Sequence, residues 1–417
     1  MPASVRKPSD RSQLTIRVGA TDDTFVRRVY GLTPGRAAAM HRPARLVVDA
    51  HVPTKPGGQL LARTAREAGV PFLVDPETYF LQDRQDPSAP WCAVPFADAK
   101  EYSPADLMSV AVRAELVESV VNYQILHGAT AIIAPYVHVE RPAPGWVQVQ
   151  AGLWRQTAEY LQRAGVNLPV IAVIAVGWRC LNPSRGIPAL RDMWDSLTAL
   201  APDEVALAAS KVHVGPNAPD RVAELLMLVR DLSARYPVTM WQQGLLGEVC
   251  VIEGAIGYEC GIGRRDKCDL QSRKSQHRSI RSGPAAPRHV YISDLGRGVP
   301  KRRLELARAN RTVWPLLVCP FPDCCSAGGE DLLGDARQHE VVARARELEQ
   351  LDSTHATQWK WNRLAQRLGD GLIIAERLNR LAPVSPGVPQ VDLVSLRSLH
   401  SVANVRRVRR TKARRTA

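Results

Sequence analysis

The chain has 417 residues, 45% of them hydrophobic and 23% charged, with a net charge of +14. Such a length and apolar share suit a globular protein with a sizeable core, one large domain plus an appendage or two domains. No run of eighteen apolar residues occurs and the opening MPASVRKPSDRSQ holds no signal-peptide stretch, so a cytoplasmic protein without a membrane association is expected.

Residues 1–43 read as an N-terminal extension, because apolar runs alternate with helical patterns only from residue 45 onward. RLVVDAH (45–51) precedes a helical stretch at 59–68, and PFLVDPE (71–77) precedes a loop rich in Asp, Pro and Trp. Ser103-Pro104 opens a helix, with Ser103 as N-cap, Pro104 in the first turn and Asp106 at the positive helix end. Leu107, Val110, Leu116, Val117, Val120 and Val121 suit one buried face of it. ATAIIAPYV, LPVIAVIAVG, EVALAASKVHVG, PVTMWQQG, EVCVIEGAIG and HVYISDL continue the series, with helical stretches near 149–164, 187–200 and 219–235. Apolar β-branched strands joined by crossover helices imply a parallel sheet covered on both faces. Eight units in about 250 residues predict a (β/α)8 barrel over 44–300. No dinucleotide fingerprint follows the first strand, which counts against a Rossmann sheet. Helical segments near 337–351 and 357–381 then predict a mainly α-helical appendage over 301–385, followed by a linker and basic tail over 386–417.

Eight cysteines in a cytosolic chain do not suggest disulfides. CPFPDCC supplies Cys319, Cys324 and Cys325, and His339 follows on a helix; zinc accepts such a Cys3His set tetrahedrally. A structural Zn2+ in the appendage is therefore expected. The basic excess is local. Gly261 to Arg303 holds twelve Lys or Arg against three acids, and the last twelve residues hold seven, the electrostatic footprint of a nucleic-acid partner.

Barrel enzymes carry their functional side chains at strand C-termini. Those ends offer Asp49 and His51, Asp75 and Glu77, Tyr136 and His138, Trp178 and Arg179, Lys211 and His213, Gln242 and Gln243, Glu253, Glu259 and Asp294. Four glycines, at 254, 257, 261 and 263, surround Glu259 and Cys260, where they would let a ligand approach the backbone closely.

GYECGIGRR resembles the tRNA-guanine transglycosylase segment Phe-Asp-Cys, two residues, Pro-Thr-Arg, through Tyr258, Glu259, Cys260 and Arg265. VDPETYFLQ resembles that family's Asp-Ser-Gly-Gly-Phe-Gln loop through Asp75, Phe80 and Gln82, and the cysteine cluster with His339 is similar to its zinc site. The resemblance spans residues 71 to about 350, and its acid, Glu259, is one methylene longer than the family's Asp. It implies base exchange in a tRNA or DNA, with a purine or deazapurine base as second substrate. Glu259 would be nucleophile and Asp75 general acid/base, with their carboxyls roughly 5–10 Å apart as in glycosidases. Phe80, Gln82, Gln242, Gly254, Gly257, Tyr258, Cys260, Arg264 and Arg265 would bind substrate. Two other readings stand beside it. One is a barrel hydrolase or lyase using Asp49, His51, His138 and His213 on a small molecule, with or without a metal. The other is a catalytically silent barrel that binds nucleic acid through its basic face.

Overall fold

The computed structural model describes residues 11–413, apart from 143, 185, 216, 264–265, 279–287, 323, 326–328 and 382–387. Its main sheet runs β1 (Gln13–Arg17), β2 (Arg45–Asp49), β3 (Phe72–Asp75), β4 (Ile132–Ile133) with β5 (His138–Val139), β6 (Val170–Gly177), β7 (Glu204–Ser210), β8 (Val238–Met240) and β9 (Gly257–Gly261). The spatial order is β3-β2-β1-β9-β8-β7-β6-β4, every ladder is parallel, and β5 also pairs with β6. Between β3 and β4 the wall is closed by local bonds instead of a ladder. Thr130 N–H donates to Phe72 O at 2.8 Å, Phe72 N–H donates to Thr130 Oγ1 at 3.0 Å, and Thr78 Oγ1 bonds Tyr136. The result is a nearly closed (β/α)8 barrel with a helical C-terminal region.

The strands read as buried because they are covered twice. All eight residues of β6, VIAVIAVG, are buried, as a parallel strand between a barrel interior and a helix layer must be. Ser103 and Asp106 form the expected capping box, with Ser103 N–H donating to Asp106 Oδ2 at 2.8 Å. The helix breaks at Ser109 and restarts, which leaves Val110 exposed although Leu116, Val117, Val120 and Val121 are buried as expected.

Three segments differ from the sequence expectation. Gln13–Arg17, assigned to the extension, is a barrel strand between β2 and β9. Glu248–Ile252, the first half of the expected strand EVCVIEGAIG, belongs to the helix Leu245–Ile252, so the strand begins only at Gly257. HVYI (289–292) leaves the barrel and pairs antiparallel with Arg297–Pro300.

The barrel interior is polar at both ends. At the strand N-termini Arg45 donates to both Glu204 oxygens at 2.6 and 2.9 Å, and its Nε donates to Thr15 Oγ1 at 3.0 Å. That buried pair closes the bottom. Beyond the barrel lie the β-hairpin and the helices Lys301–Arg308, Ala336–Asp352, Thr357–Leu381 and Leu393–Ala413. Ala336–Asp352 packs on β1 and on the hairpin, beside the barrel mouth. No helix of the described residues is long and apolar enough to cross a membrane.

Candidate active site at the barrel mouth

Arg17 ends β1 and points into the barrel mouth, where three strand ends converge on it. Its Nη1 donates to Asp49 Oδ1 at 2.6 Å, its Nη2 to Asp75 Oδ2 at 2.8 Å, and its Nε and Nη2 to the two Glu259 oxygens at 3.0 and 3.2 Å. All four residues are at least 96% buried. Burial works against the Arg17 charge, yet Glu259, Asp75 and Asp49 outweigh it and hold its pKa well above the ordinary arginine value. Asp75 also accepts from Tyr136 Oη at 2.9 Å, from Trp241 Nε1 at 3.3 Å and from Glu77 N–H at 3.0 Å. Glu259 Oε2 accepts Gln242 N–H at 2.8 Å.

A second guanidinium, Arg273, pairs with Glu77, lies 3.9 Å from Asp49 Oδ2, and donates to Gln242 Oε1 at 3.0 Å. Two arginines therefore serve four carboxylates. Glu77 and Gln242 both take left-handed backbone, at φ 50° and 56°, which costs a non-glycine residue about 1–3 kcal/mol and persists where the surroundings over-determine it. Asp49, His51 and Glu77 each bring one ligand atom within 4.8 Å of the others, a donor set that suits a divalent cation, although Arg273 already supplies positive charge against two of them.

The mouth opens on the β1/β9 side into a cavity of about 700 Å³, between the strand ends and Ala336–Asp352. Asp49 and Arg17 form its floor, with Gly19, Gly261 and Gly263 beside them. Its rim carries Arg28, Arg288, Lys301 and Arg337. Arg28 pairs with Asp335 at 2.6 Å and Arg337 with Asp22 at 2.5 Å. Glu340 also lines the cavity; burial raises its pKa to about 7, and it accepts Gly263 N–H at 2.6 Å.

The structure brings Glu259 and Asp75 together on one nitrogen of Arg17, but it presents neither as an open nucleophile or proton carrier. Gln82 spends its amide on the backbone of His138, accepting its N–H at 2.6 Å and donating to its C=O at 3.0 Å. Phe80 is buried among Tyr79, Trp91 and the ring of His277. Gln242 belongs to the site. Gly254 lies before β9 and Gly257 opens it, at the opposite end of the barrel from the mouth, and both answer to backbone packing. Gly254 has φ 119°, and a Cβ on Gly257 would meet Gln13 O at 2.0 Å. Tyr258 and Cys260 alternate with Glu259 and face outward, Tyr258 against Gly247. Glu253 caps a helix and pairs with Arg230 and Arg406, and Asp294 sits in the hairpin turn, so neither is at the mouth. Arg264 and Arg265 lie outside the described residues. Of the basic stretch around them, Lys267 pairs with Asp392, Arg278 with Asp83, and Arg303 is buried against backbone carbonyls.

His138 and His213 are buried at 1% and 4% exposure, and burial lowers both, His138 well below the ordinary range and His213 to about 3. The unfolded chain would protonate His213 below about pH 6.5 and the folded chain only near 3, so stability should fall as pH drops through that window. At pH 5 His213 alone should cost about 2 kcal/mol relative to pH 7. Thermal melts of His213→Gln should show a flatter dependence between pH 7 and 5 than the parent; an unchanged slope would refute a neutral buried His213.

In the C-terminal region Cys319, Cys324, Cys325 and His339 bring their ligand atoms within 4.8 Å of one another and are all buried. Cys319 Sγ lies 3.2 Å from Cys324 Sγ, and Cys325 Sγ 3.2 Å from His339 Nδ1. The other ring nitrogen, Nε2, is 3.0 Å from Tyr291 O. A carbonyl only accepts, so Nε2 carries a proton and Nδ1 is the nitrogen that faces the sulfurs, the orientation of a metal-ligating histidine. Hydrogen bonds from Cys324 and Cys325 hold the Cys319 thiol far below the ordinary range, the thiolate form that a cation binds. The group could hold a metal ion.

No family model and no curated protein matches the chain. Similar solved structures include the HpcH/HpaI aldolase from Desulfitobacterium hafniense DCB-2, at 13% identity over 66% of this chain and 95% of that one, TM-score 0.33. Xylanase B from Clostridium stercorarium F9 is similar at 11% identity over 63% and 89%, TM-score 0.36. The carboxyl transferase domain of Rhizobium etli pyruvate carboxylase is similar at 11% over 95% and 61%, TM-score 0.36. Identities and TM-scores this low carry no argument about activity. The resemblance to tRNA-guanine transglycosylases is not upheld, since no family model matches and the similar structures are aldolase, lyase, xylanase and transferase barrels. Physically, both oxygens of Glu259 are spent on Arg17 and Gln242, and Gly254 and Gly257 answer to backbone packing instead of to a ligand.

Proposed function

We propose that the chain is a barrel enzyme of the hydrolase or lyase kind, acting on a small anionic molecule in the cavity at the β1/β9 side of the mouth. The observation that carries this reading is the placement of Asp49 and Arg17 on the floor of that cavity, with Asp75 and Glu259 bracing Arg17 from behind. Asp49 would move a proton to or from substrate or water, and the Arg17 guanidinium would bind developing negative charge on oxygen. Four carboxylates face two arginines at the floor. The rim is cationic once its ion pairs are discounted, through Arg288 and Lys301. That gradient would hold the anionic group of a substrate outward and its reacting end at Asp49. The volume suits a small-molecule site.

We further propose zinc as the ion of the Cys3His group. Three thiolates and one imidazole are a usual set for structural zinc, and no donor there is left for a substrate.

The site reading is tested by thermal-shift screening of small carboxylates and phosphate esters. At least one should raise the melting temperature of the parent, and the Arg288→Gln/Lys301→Gln double variant should lose that rise. With a turned-over compound in hand, Asp49→Asn should lower kcat by about 100-fold or more with binding retained. A screen without stabilisation, or stabilisation indifferent to the double variant, would overturn the reading.

A further inference from the structure

The charged groups that line the 700 Å³ cavity do not balance. Asp22 pairs with Arg337, Asp335 with Arg28 and Asp49 with Arg17. Glu340, the remaining acid of the lining, accepts from Arg344 Nε and Nη2 at 3.2 and 3.1 Å. Each carboxylate of the cavity therefore has its own cation, and Arg288 and Lys301 are left over. Lys301 Nζ donates to Leu333 O at 2.7 Å, which satisfies a donor but not a charge. Arg288 is exposed at the rim, and its guanidinium makes no hydrogen bond and no ion pair among the described residues.

The hairpin His289–Ile292 with Arg297–Pro300 sets these two cations side by side. His289 pairs with Pro300, and Lys301 N–H donates to Arg288 O at 2.7 Å, so the pairing runs one position further and puts Lys301 opposite Arg288. Opposed residues of an antiparallel pair project from one face, with Cβ atoms about 4.5–5.5 Å apart. Like charges so placed repel, and the chain alone gains nothing from them. The helix Lys301–Arg308 starts at the same point with no acid in its first turn and no side-chain cap, so its positive end adds to the pair instead of screening it. Among the described residues no Phe, Tyr or Trp lines the cavity. The N–H groups of Gly19 and Gly263 are spent on Asp22 Oδ2 at 2.8 Å and Glu340 Oε2 at 2.6 Å. Away from the two cations the lining offers carboxylate oxygen, which accepts, and the aliphatic edges of Val18, Ile262 and Leu333.

We infer that Arg288 and Lys301 form a phosphate subsite, and that the molecule acted on in this cavity is the phosphate monoester of a small hydroxylated compound. The inference rests on the cavity reading above and narrows its substrate. Charge decides between the two common anionic groups. A carboxylate carries one charge on two oxygens and leaves one of the cations unanswered. A phosphate monoester carries a charge of about −1.5 to −2 near pH 7, spread over three free oxygens. The planar Arg288 fork takes two of them and Lys301, a point charge, the third. Hydroxyl groups supply the donors that the carboxylate lining accepts, and a wall without aromatic rings gives a nucleobase nothing to stack on. With the phosphate held at the hairpin, the hydroxylated end is the one that meets Asp49 on the floor.

The test is calorimetric titration of the full-length chain at neutral pH with glycerol 3-phosphate, ribose 5-phosphate, glycerate, succinate and AMP. Glycerol 3-phosphate and ribose 5-phosphate should bind about tenfold or more tightly than glycerate and succinate, and AMP no more tightly than ribose 5-phosphate. Arg288→Gln and Lys301→Gln should each weaken the two phosphates about tenfold, and Lys301→Arg should keep most of the affinity. Carboxylates bound as tightly as the phosphates would overturn the phosphate assignment and leave the cavity reading standing. AMP bound about tenfold more tightly than ribose 5-phosphate would overturn the hydroxylated body and likewise spare that reading. Both of these outcomes are read on the parent protein, whether or not the variants fold. Phosphate binding indifferent to both substitutions would place it outside the hairpin and overturn the inference. Binding of none of the compounds would remove the cavity reading, and this inference with it.

Discussion

Arg17→Met should melt about 3–6 °C below the parent at pH 7, or fail to accumulate as folded protein. Removing one partner of a buried ion pair costs about 3–5 kcal/mol, because the charge left behind stays buried without compensation. An unfolding entropy of about 2.1 cal/mol/K per residue converts that cost to the stated shift for a chain of this size. The parent holds Asp49, Asp75 and Glu259 on that single guanidinium, so the variant strands three carboxylates at 0–4% exposure. They can escape repulsion only by taking up protons. The deficit of the variant against the parent should therefore shrink between pH 7 and pH 5, in the opposite sense to the histidine effect, which lowers both proteins alike. Arg17→Lys keeps a charge but cannot reach three carboxylates with one fork, and should fall between the two. A melting temperature within 1 °C of the parent, or a deficit indifferent to pH, would show that the cluster is not held by Arg17.

The centre of that cluster was the part least legible in the sequence. QLTIR is five residues long, carries Thr and Arg on its inward face, and precedes the long apolar runs that announce a barrel, so it reads as an extension. Its inward Thr15 and Arg17 are polar because they meet Glu204, Arg45 and the mouth carboxylates across the barrel, contacts that no local pattern reveals. The signal available was its alternation of Leu14, Thr15, Ile16, Arg17 and Val18 before a glycine. The opposite error has the same root. EVCVIEGAIG looks like a strand, and HVYISDL, which does hold one, like a strand of the barrel, because both are apolar and β-branched. The first is helical because it is buried all round, with every residue of Leu245–Ile252 covered. The acidic strand ends were legible because Asp49, Asp75 and Glu259 follow uninterrupted buried runs or a glycine-framed strand. Their partners, Arg17 and Arg273, were not, since one lay in the supposed extension and the other read as one basic residue among twelve.

Purified protein should contain one equivalent of zinc, and Cys325→Ser and His339→Gln should each abolish it. The cluster was readable from spacing, but its consequence depends on where the structure puts His339. That residue lies on Ala336–Asp352, the helix that also places Glu340 on Gly263 N–H at 2.6 Å and Arg344 on Asp266, while Cys319, Cys324 and Cys325 lie on the preceding loop. An ion shared by loop and helix would pin this wall of the cavity to the strand ends β1 and β9. Structural zinc in small peptide sites contributes about 10–16 kcal/mol of apparent binding free energy, most of which appears as folding free energy. Removing it should therefore cost more than any single substitution at the mouth. Chelation under reducing conditions, which keeps Cys319 and Cys324 from closing into a disulfide across their 3.2 Å separation, should lower the melting temperature. It should also open the 319–335 segment to limited proteolysis and abolish ligand stabilisation at the cavity. Readdition of zinc should reverse all three. Full metal content in Cys325→Ser would place the ion elsewhere, and a metal-free protein as stable as the loaded one would reduce the cluster to four packed side chains.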